Sequence, residues 1–330
     1  MKNWLRRAPA APQPVAEPAP APGGAAERVL KRLEWTVIRR LDGLLQGDYR
    51  TLMRGAGLDL ADLREYQHHD DVRHIDWNVT ARTDTPHVRV FTEDREMAAW
   101  FLMDLSPSVD FGSGEQRKRN VSAEFVAVLA RMLTRHGNRI GAMLYGSGVD
   151  TVIPTRGGRR HVLHLLHTLQ DRPSIKEGGP TRLRDLLDSA AGLIRRRSTV
   201  FVVSDFISEP GWERALALLA QRHEVVAVRV LDPLELQLPD LGLLTLRDAE
   251  TGEQVLVDTH DAGFRKRFAR IAAQREADLR QALMQAGVDA LELSTDADLV
   301  DAVIRFTEMR KRRTRLSAGG GMPAHLKHAA

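Results

Sequence analysis

The chain has 330 residues, of which 43% are hydrophobic and none is cysteine. This length allows one large core with appended elements or two modest domains. The lack of cysteine excludes disulfides, thiolate zinc sites and cysteine catalysis. Lys and Arg number 48 against 44 Asp and Glu, so the formal net charge is only +4. The basic residues are spread along the chain apart from one run at 310–315, which argues against an extensive nucleic-acid interface.

The ends of the chain have the composition of segments without a core. Residues 1–26 are rich in Ala and Pro and residues 314–330 in Ala and Gly, and both are expected to be disordered. No apolar stretch approaches the roughly 18 residues of a membrane span, and the basic start is not followed by an apolar segment. We therefore expect no signal peptide, no membrane span and a cytoplasmic location.

Residues 27–97 are predicted to form an N-terminal helix followed by an accessory region. Apolar residues recur at helical spacing over 27–46, and Gly47 is a typical helix stop. The polar residues 48–97 contain two stretches of extended character, 60–66 and 87–92.

From residue 98 to residue 313, short apolar runs alternate with amphipathic segments. The predicted strands are 98–103, 139–145, a hairpin arm near 149–154, 199–204, 224–231 and 288–293. The predicted helices are 119–136, 158–170, 181–196, 211–221, 261–286 and 297–313. This alternation is typical of an α/β fold with a doubly wound, mainly parallel sheet. A polar hairpin near 240–258 is expected as an insertion, which should join the two upstream extended stretches in one small accessory β unit.

Oxygen-bearing side chains follow the buried strands. Asp104, Ser106 and Ser108 form a D-x-S-x-S loop directly after the first core strand. Asp205 ends the strand 199–204, and Thr181 follows a Gly-Gly-Pro turn. In doubly wound sheets, ligands bind at the carboxyl ends of the strands. Carboxylates and hydroxyls suit a hard cation, so we expect a site for Mg²⁺, or for another divalent ion such as Mn²⁺ or Ca²⁺.

The five residues resemble the metal-ion-dependent adhesion site of von Willebrand factor A domains. The resemblance implies that the hydroxyls of Ser106, Ser108 and Thr181 bind the metal directly or nearly so. It also implies that Asp104 and Asp205 bind it directly or through water. An open position on the metal would accept an acidic side chain from a partner. Pro107 departs from the pattern, which usually has a small residue there.

Over residues 28–312 the chain also resembles the bacterial DUF58 family. The matching segments are 64–66, 70–73, 75–77, 81–82, 239–243 and 248–252. The resemblance implies a structural motif, salt-bridged through its charged members, with Tyr66 and Trp77 as packing residues. Its members are Arg64, Tyr66, Asp71, Arg73, Asp76, Trp77 and Arg82. It further implies that the chain acts with a MoxR-type AAA+ ATPase. The chain itself has no Walker A motif, so it is not that ATPase.

Three alternatives remain open from the sequence. A cluster of imidazoles and carboxylates could hold zinc or iron, and its members are His68, His69, Asp70, Asp71, His74 and Asp76. Asp104 could be the nucleophile of a metal-dependent phosphoester hydrolase, although Ser106 stands where such enzymes usually have a second carboxylate. The basic run 310–315 could bind nucleic acid or an anionic surface. The leading hypothesis is a non-catalytic, metal-dependent protein-binding module that serves the assembly, activation or remodelling of a client.

Overall fold

The computed structural model describes residues 25–41, 60–67, 70, 72, 75–91, 98–175 and 179–318. Its strands are β1 (Leu60–Glu65), β2 (His87–Phe91), β3 (Ala98–Asp104), β4 (Arg139–Tyr145), β5 (Val149–Arg156), β6 (Thr199–Ser204), β7 (Glu224–Leu231), β8 (Leu243–Arg247), β9 (Gln254–Asp258) and β10 (Asp289–Ser294). Its α-helices are α1 (Ala25–Leu33), α2 (Trp77–Thr83), α3 (Lys118–Arg135), α4 (Arg159–Asp171), α5 (Leu183–Leu193), α6 (Trp212–Arg222), α7 (Ala262–Gln285) and α8 (Leu299–Ala318).

Six strands form one sheet in the order β10-β7-β6-β3-β4-β5. Neighbours run parallel except β5, which is an antiparallel edge strand beside β4. Counted in chain order within this sheet, the arrangement is 3-2-1-4-5-6. The predicted fold class is therefore confirmed. The order reverses between β3 and β6, and the crevice at such a reversal is where doubly wound sheets bind ligands.

Side chains of β3 alternate between two hydrophobic cores, as the strand period of two requires. Phe101 and Met103 face the core that is covered by α1, α3, α4 and α8. Trp100 and Leu102 face the core that is covered by α5, α6 and the end of α7. Both faces are covered, and β3 is apolar from Ala98 to Met103, as the sequence pattern predicts for a central strand.

The N-terminal helix belongs to the first of these cores. It begins at Ala25, is π-helical over Glu34–Ile38 and is described as far as Leu41. Its apolar side chains are almost fully buried, namely Leu30, Leu33, Ile38 and Leu41. Ion pairs from Arg32 to Glu124 (2.6 Å) and from Arg131 to Glu34 (2.5 Å) join it to α3. The predicted stop at Gly47 lies outside the described residues.

The expected single accessory β unit is wrong. β1 and β2 form one two-stranded antiparallel sheet, and β8 and β9 form another. In each pair the strands are nearer in sequence, joined by residues 66–86 in one case and 248–253 in the other, and the conformational entropy lost on closing a loop grows with its length. Pairing between strands more than 150 positions apart would carry a larger cost.

Two buried ion-pair groups fasten the last helices to the sheet. Arg229 of β7 pairs with Glu276 of α7. Arg310 of α8 pairs with Glu224 and Asp289 at the start of β7 and β10. The first residue of the basic run 310–315 is thus a structural anchor rather than an exposed cation. Within the described ranges, no helix is both long enough and apolar enough to cross a membrane.

Candidate functional site

Asp104 ends β3 beside the crevice between β3 and β6. Its Oδ1 accepts a hydrogen bond from the Ser106 N–H (3.0 Å), and its Oδ2 accepts one from the Ser204 hydroxyl (2.7 Å). Ser204 ends the neighbouring strand β6 and accepts in turn from the Phe206 N–H (2.9 Å). The Asp104 carboxylate is therefore fixed by groups from both strands that flank the crevice.

The two serines of the D-x-S-x-S loop point the same way. Their hydroxyl oxygens lie 3.2 Å apart. Pro107 is the first residue of a short 3₁₀ helix over Pro107–Asp110, a position that suits proline because its missing N–H would have no partner there. The departure at Pro107 is thus accommodated by the local structure.

Asp205 directly follows β6. Its Oδ1 accepts from the Ile207 N–H (3.0 Å), and its Oδ2 accepts from the ammonium group of Lys118 (2.7 Å). Between them, Phe206 has a φ of 58°, which is strained for a bulky side chain. Its ring packs against Trp212 at a centroid distance of 5.3 Å, and this contact holds the turn that aims Asp205.

Lys118 is a fully buried cation that the sequence pattern did not identify. It is the first residue of α3, and its ammonium also donates to Glu235 Oε1 (2.5 Å). Glu235 is held in turn by a capping box, in which its Oε2 accepts from the Asp232 N–H (3.1 Å). The loops after β3, β6 and β7 therefore meet around one ammonium group.

Thr181 lies in the loop before α5, after Gly179, whose φ of +69° requires a glycine-like backbone. Its partner is Glu250, in the turn between β8 and β9. The Thr181 hydroxyl donates to Glu250 Oε1 (2.5 Å) and its N–H to Oε2 (3.0 Å). Thr181 therefore does not cap α5, which begins at Leu183.

The structure brings four of the five predicted residues into one cluster, with Thr181 beside it. No hydrogen bond joins Thr181 to the other four residues, all of which are described. The link is Tyr145, which pairs with Asp104 in the β3–β4 register and accepts from the Arg182 N–H (2.9 Å) through its hydroxyl.

The charges of the cluster perturb one another. Burial, with the charge of Asp205, raises the pKa of Asp104 from 3.8 to about 6. Burial alone would lower the pKa of Lys118, but the charges of Asp205 and Glu235 outweigh it and raise that pKa. The ammonium thus offsets part of the negative charge of the site.

The residues fit a hard divalent cation in chemistry and in spacing. All candidate donors are oxygens, which Mg²⁺ and Ca²⁺ prefer. The 3.2 Å between the Ser106 and Ser108 hydroxyls is close to the roughly 3 Å that separates adjacent ligands of an octahedral ion with bonds of about 2.1 Å. All five residues are buried, Asp104 with only 1% of its surface exposed.

The zinc or iron cluster that the sequence offers as an alternative lies partly outside the described residues. His68, His69, Asp71 and His74 lie outside the described residues. Asp70 accepts from the Gln67 N–H (2.8 Å), and Asp76 caps α2. In the part of the chain that the structure describes, no three His, Asp or Glu side chains are grouped to hold a metal. The candidate site above has two carboxylates, with hydroxyls as its other donors.

The structure describes only some members of the DUF58-type motif, and the two aromatic members differ in burial. The side chain of Arg64, in β1, and residues Asp71 and Arg73 lie outside what the structure describes. Tyr66 is half-buried. Trp77 is 70% exposed, so its expected packing role is wrong. It occupies the first turn of the short helix α2, where its side chain points away from the body.

The charged members of the motif act on α2. Asp76 Oδ1 accepts from the N–H groups of Asn78 (3.0 Å) and Val79 (3.2 Å), an N-cap arrangement. Arg82 is exposed, and its Nε donates to the Asn78 carbonyl (3.3 Å). Among the described residues Arg82 makes a contact within its helix rather than the expected salt bridge.

The Asp76→Ala substitution should lower the free energy of unfolding by about 1 kcal/mol, because α2 loses its N-cap acceptor. Urea denaturation measures this change. Glu308→Ala, an exposed carboxylate within α8, is the control and should change stability by less than about 0.5 kcal/mol. Equal stability of the two variants would contradict the capping role.

Sequence reasoning missed Lys118, Glu235 and Glu250 as members of the site. Glu250 lies in a segment that matches the DUF58 family, but its partner Thr181 is 69 positions away. Lys118 lies one residue before the predicted helix, and no periodic pattern marks a lysine as buried. Only the acidic residues at the carboxyl edge could have hinted that a buried cation lies among them.

Comparison with known proteins identifies relatives along most of the chain. A family model described as protein of unknown function DUF58 matches residues 62–278. An uncharacterized protein of Mycobacterium tuberculosis is 39% identical over 283 residues, which are 86% of this chain and 89% of that protein. An uncharacterized protein of Mycobacterium avium is 38% identical over 162 residues, which are 49% of this chain and 95% of that protein.

Solved structures offer a more distant likeness. The BatB protein of Bacteroides thetaiotaomicron is 14% identical, with a TM-score of 0.43, over 66% of this chain and 99% of that chain. The VWA domain of SpRpn10 is 14% identical, with a TM-score of 0.35, over 64% of this chain and 95% of that chain. At these scores the fold assignment rests on the order and direction of the strands themselves.

Proposed function

We propose that this chain, which belongs to the DUF58 family, is a non-catalytic protein-binding module whose binding depends on a divalent metal. Asp104, Ser106, Ser108, Thr181 and Asp205 would hold the metal, with Mg²⁺ as the first candidate. The observation that carries the proposal is the convergence of Asp104, Ser106, Ser108 and Asp205 at the crevice between β3 and β6.

The chain's own groups would prepare this site for a cation. Ser204 and the Ser106 N–H hold the Asp104 carboxylate in one orientation. Lys118 holds Asp205 from the opposite side, which favours a contact of Asp205 with the metal through water. When bound, the metal would supply a Lewis-acidic position for a carboxylate of a partner protein. The resemblance to the DUF58 family favours a MoxR-type AAA+ ATPase as the machine that acts with this chain on a client.

Phosphoester hydrolysis with Asp104 as nucleophile is the weaker candidate. Position 106 is a serine, which cannot serve as the second carboxylate of such an enzyme. Binding of nucleic acid through the basic run is also weaker, because Arg310 is occupied by Glu224 and Asp289.

The proposal predicts that Mg²⁺ stabilises the wild-type protein but not the Asp104→Asn variant. At a free concentration ten times its Kd, Mg²⁺ should add roughly 1.4 kcal/mol to the free energy of unfolding. Denaturant titrations with Mg²⁺ and with EDTA measure the difference. Asn keeps the size of the side chain and removes the charge, so both forms should fold.

A second measurement tests the partner. Purified MoxR-type ATPase from the same organism should bind the wild-type chain in Mg²⁺, and it should bind Asp104→Asn at least about tenfold more weakly. Asp188→Asn, an exposed carboxylate on α5, is the matched control and should bind as wild type does.

In the first measurement, equal Mg²⁺ stabilisation of wild type and Asp104→Asn would show that any metal binds elsewhere.

A further inference from the structure

We infer that Glu250 is an internal carboxylate that holds the metal-site residue Thr181, so that the β8–β9 hairpin closes the site against a partner's acidic side chain. This inference rests on the proposed function, because it assumes a carboxylate-binding metal site at the carboxyl edge. It adds a competitor within the chain itself. A partner can then bind only when the hairpin moves away.

The contact between Glu250 and Thr181 is specific in geometry. Both carboxylate oxygens are used, one by the hydroxyl and one by the N–H of the same threonine. Thr181 is a predicted metal ligand, and Tyr145 connects its loop to Asp104. A side chain from a distant hairpin thus occupies the hydroxyl that the proposed function assigns to the metal.

The hairpin turn is built to present Glu250. Asp248 Oδ1 accepts from the N–H groups of Glu250 and Thr251, both at 2.8 Å. Gly252 has a φ of +74°, and its N–H donates to the Asp248 carbonyl (3.0 Å). These bonds order the turn without help from the body of the protein. The turn that carries Glu250 therefore keeps its conformation whether or not Glu250 contacts Thr181.

The site is closed in this conformation. Asp104, Ser106, Ser108, Thr181 and Asp205 are all buried, although the proposed function requires a partner to reach the metal. Glu250 covers the Thr181 side, and Lys118 with Glu235 covers the Asp205 side. Lys118 is the first residue of α3, whereas Glu250 lies in the turn at the end of the β8–β9 hairpin.

The hairpin is attached weakly enough to move. β8 and β9 pair only with each other, and an isolated two-stranded hairpin is marginally stable in water. Leu243 and Leu256 on its outer face are each 68% exposed. At its base, the Thr259 hydroxyl donates to the Gly242 carbonyl and accepts from the Leu241 N–H. The Glu250–Thr181 contact joins the far end of the hairpin to the loop before α5.

A closed hairpin lowers the apparent affinity for a partner, because that affinity is the intrinsic affinity multiplied by the fraction of molecules whose hairpin is open. While Glu250 holds the hydroxyl and N–H of Thr181, that hydroxyl is not free for the metal, and an acidic partner side chain cannot reach the metal from this side. Removal of Glu250 should therefore expose the site and leave the metal ligands in place. The exposed Glu253 in the same turn offers a control with the same change of charge.

The test compares Glu250→Ala with Glu253→Ala and with wild type, with Mn²⁺ as the probe. Electron paramagnetic resonance measures bound Mn²⁺, and water proton relaxation reports whether solvent reaches it. Glu250→Ala should bind Mn²⁺ with a higher relaxivity than wild type, because water can reach the ion. Added acetate should lower that relaxivity, because its carboxylate displaces water from the ion. Glu253→Ala should behave as wild type. Without metal, amides of residues 243–258 should exchange with deuterium about tenfold faster in Glu250→Ala, because a charge-assisted pair of hydrogen bonds is lost.

The outcomes separate the two proposals. If Glu250→Ala binds Mn²⁺ but keeps the relaxivity of wild type and does not respond to acetate, the closed hairpin is wrong while the metal site stands. The same holds if its hairpin amides exchange at the rate found in Glu253→Ala. If none of the three proteins binds Mn²⁺, the proposed function fails, and the inference fails with it.

Discussion

The Lys118→Met substitution should lower the free energy of unfolding by about 3–5 kcal/mol, the largest effect expected of any exchange at the site. Lys118 is fully buried, and its ammonium lies 2.7 Å from Asp205 and 2.5 Å from Glu235. Methionine has a similar volume, so the loss comes from two buried carboxylates without their cation rather than from a cavity. Urea denaturation in EDTA measures the loss.

Mg²⁺ should recover part of this stability, because a divalent ion can take over the neutralisation of the carboxylates. Lys266→Met, an exposed lysine on α7, should stay within about 0.5 kcal/mol of wild type. A loss of less than about 1 kcal/mol for Lys118→Met would mean that the ammonium does not stabilise the buried carboxylates of Asp205 and Glu235.

The stabilisation by Mg²⁺ should depend steeply on pH, because Asp104 must be ionised to bind a cation. Its pKa is raised to about 6 by burial and by Asp205. Below that pH, protons compete with the metal, and the apparent affinity should fall about tenfold per pH unit. Thermal unfolding with and without Mg²⁺, from pH 4.5 to pH 8, should give a clear shift at pH 7.5 that is several times smaller near pH 5.

The metal-free protein should change with pH in the opposite sense. A carboxyl group with a raised pKa binds its proton more tightly in the folded state, so stability falls as the pH rises from about 4 to about 6. The fall should approach 3 kcal/mol, and above pH 6 the penalty is fully present. Asp104→Asn should lack this pH dependence.

In the experiment with Mg²⁺, a shift of equal size at pH 5 and pH 7.5 in wild type would contradict the role of Asp104 as a metal ligand.

Much of the fold could be predicted from local patterns. The apolar runs of β3 and β6 identify strands that are buried on both faces, and adjacent parallel strands bring their carboxyl ends together. Asp104 and Asp205 therefore meet for a reason that is visible in the sequence. In the structure, Trp100 of β3 pairs with Val200 of the parallel strand β6, so the carboxyl ends of the two strands lie at the same edge of the sheet.

The remainder depends on contacts that no local pattern encodes. Lys118 meets Asp205 across 87 positions and Glu235 across 117. The sequence predicts the polar hairpin near 240–258, but the contact of its Glu250 with Thr181 depends on how the hairpin packs against the rest of the fold. For the same reason, the sequence could not show that β1–β2 and β8–β9 are separate sheets.

The helix α1 and the pair β10–α8 have a practical consequence for the preparation of fragments. The family match covers residues 62–278, but α1 precedes it and β10 with α8 follows it. Both contribute buried side chains to the same core, among them Leu30, Leu41 and Phe306. A fragment cut at the limits of the match would expose one face of the sheet and the edge of β7. We expect such a fragment to aggregate, so the autonomous folding unit extends at least from Ala25 to the turns of α8 that carry Phe306 and Arg310.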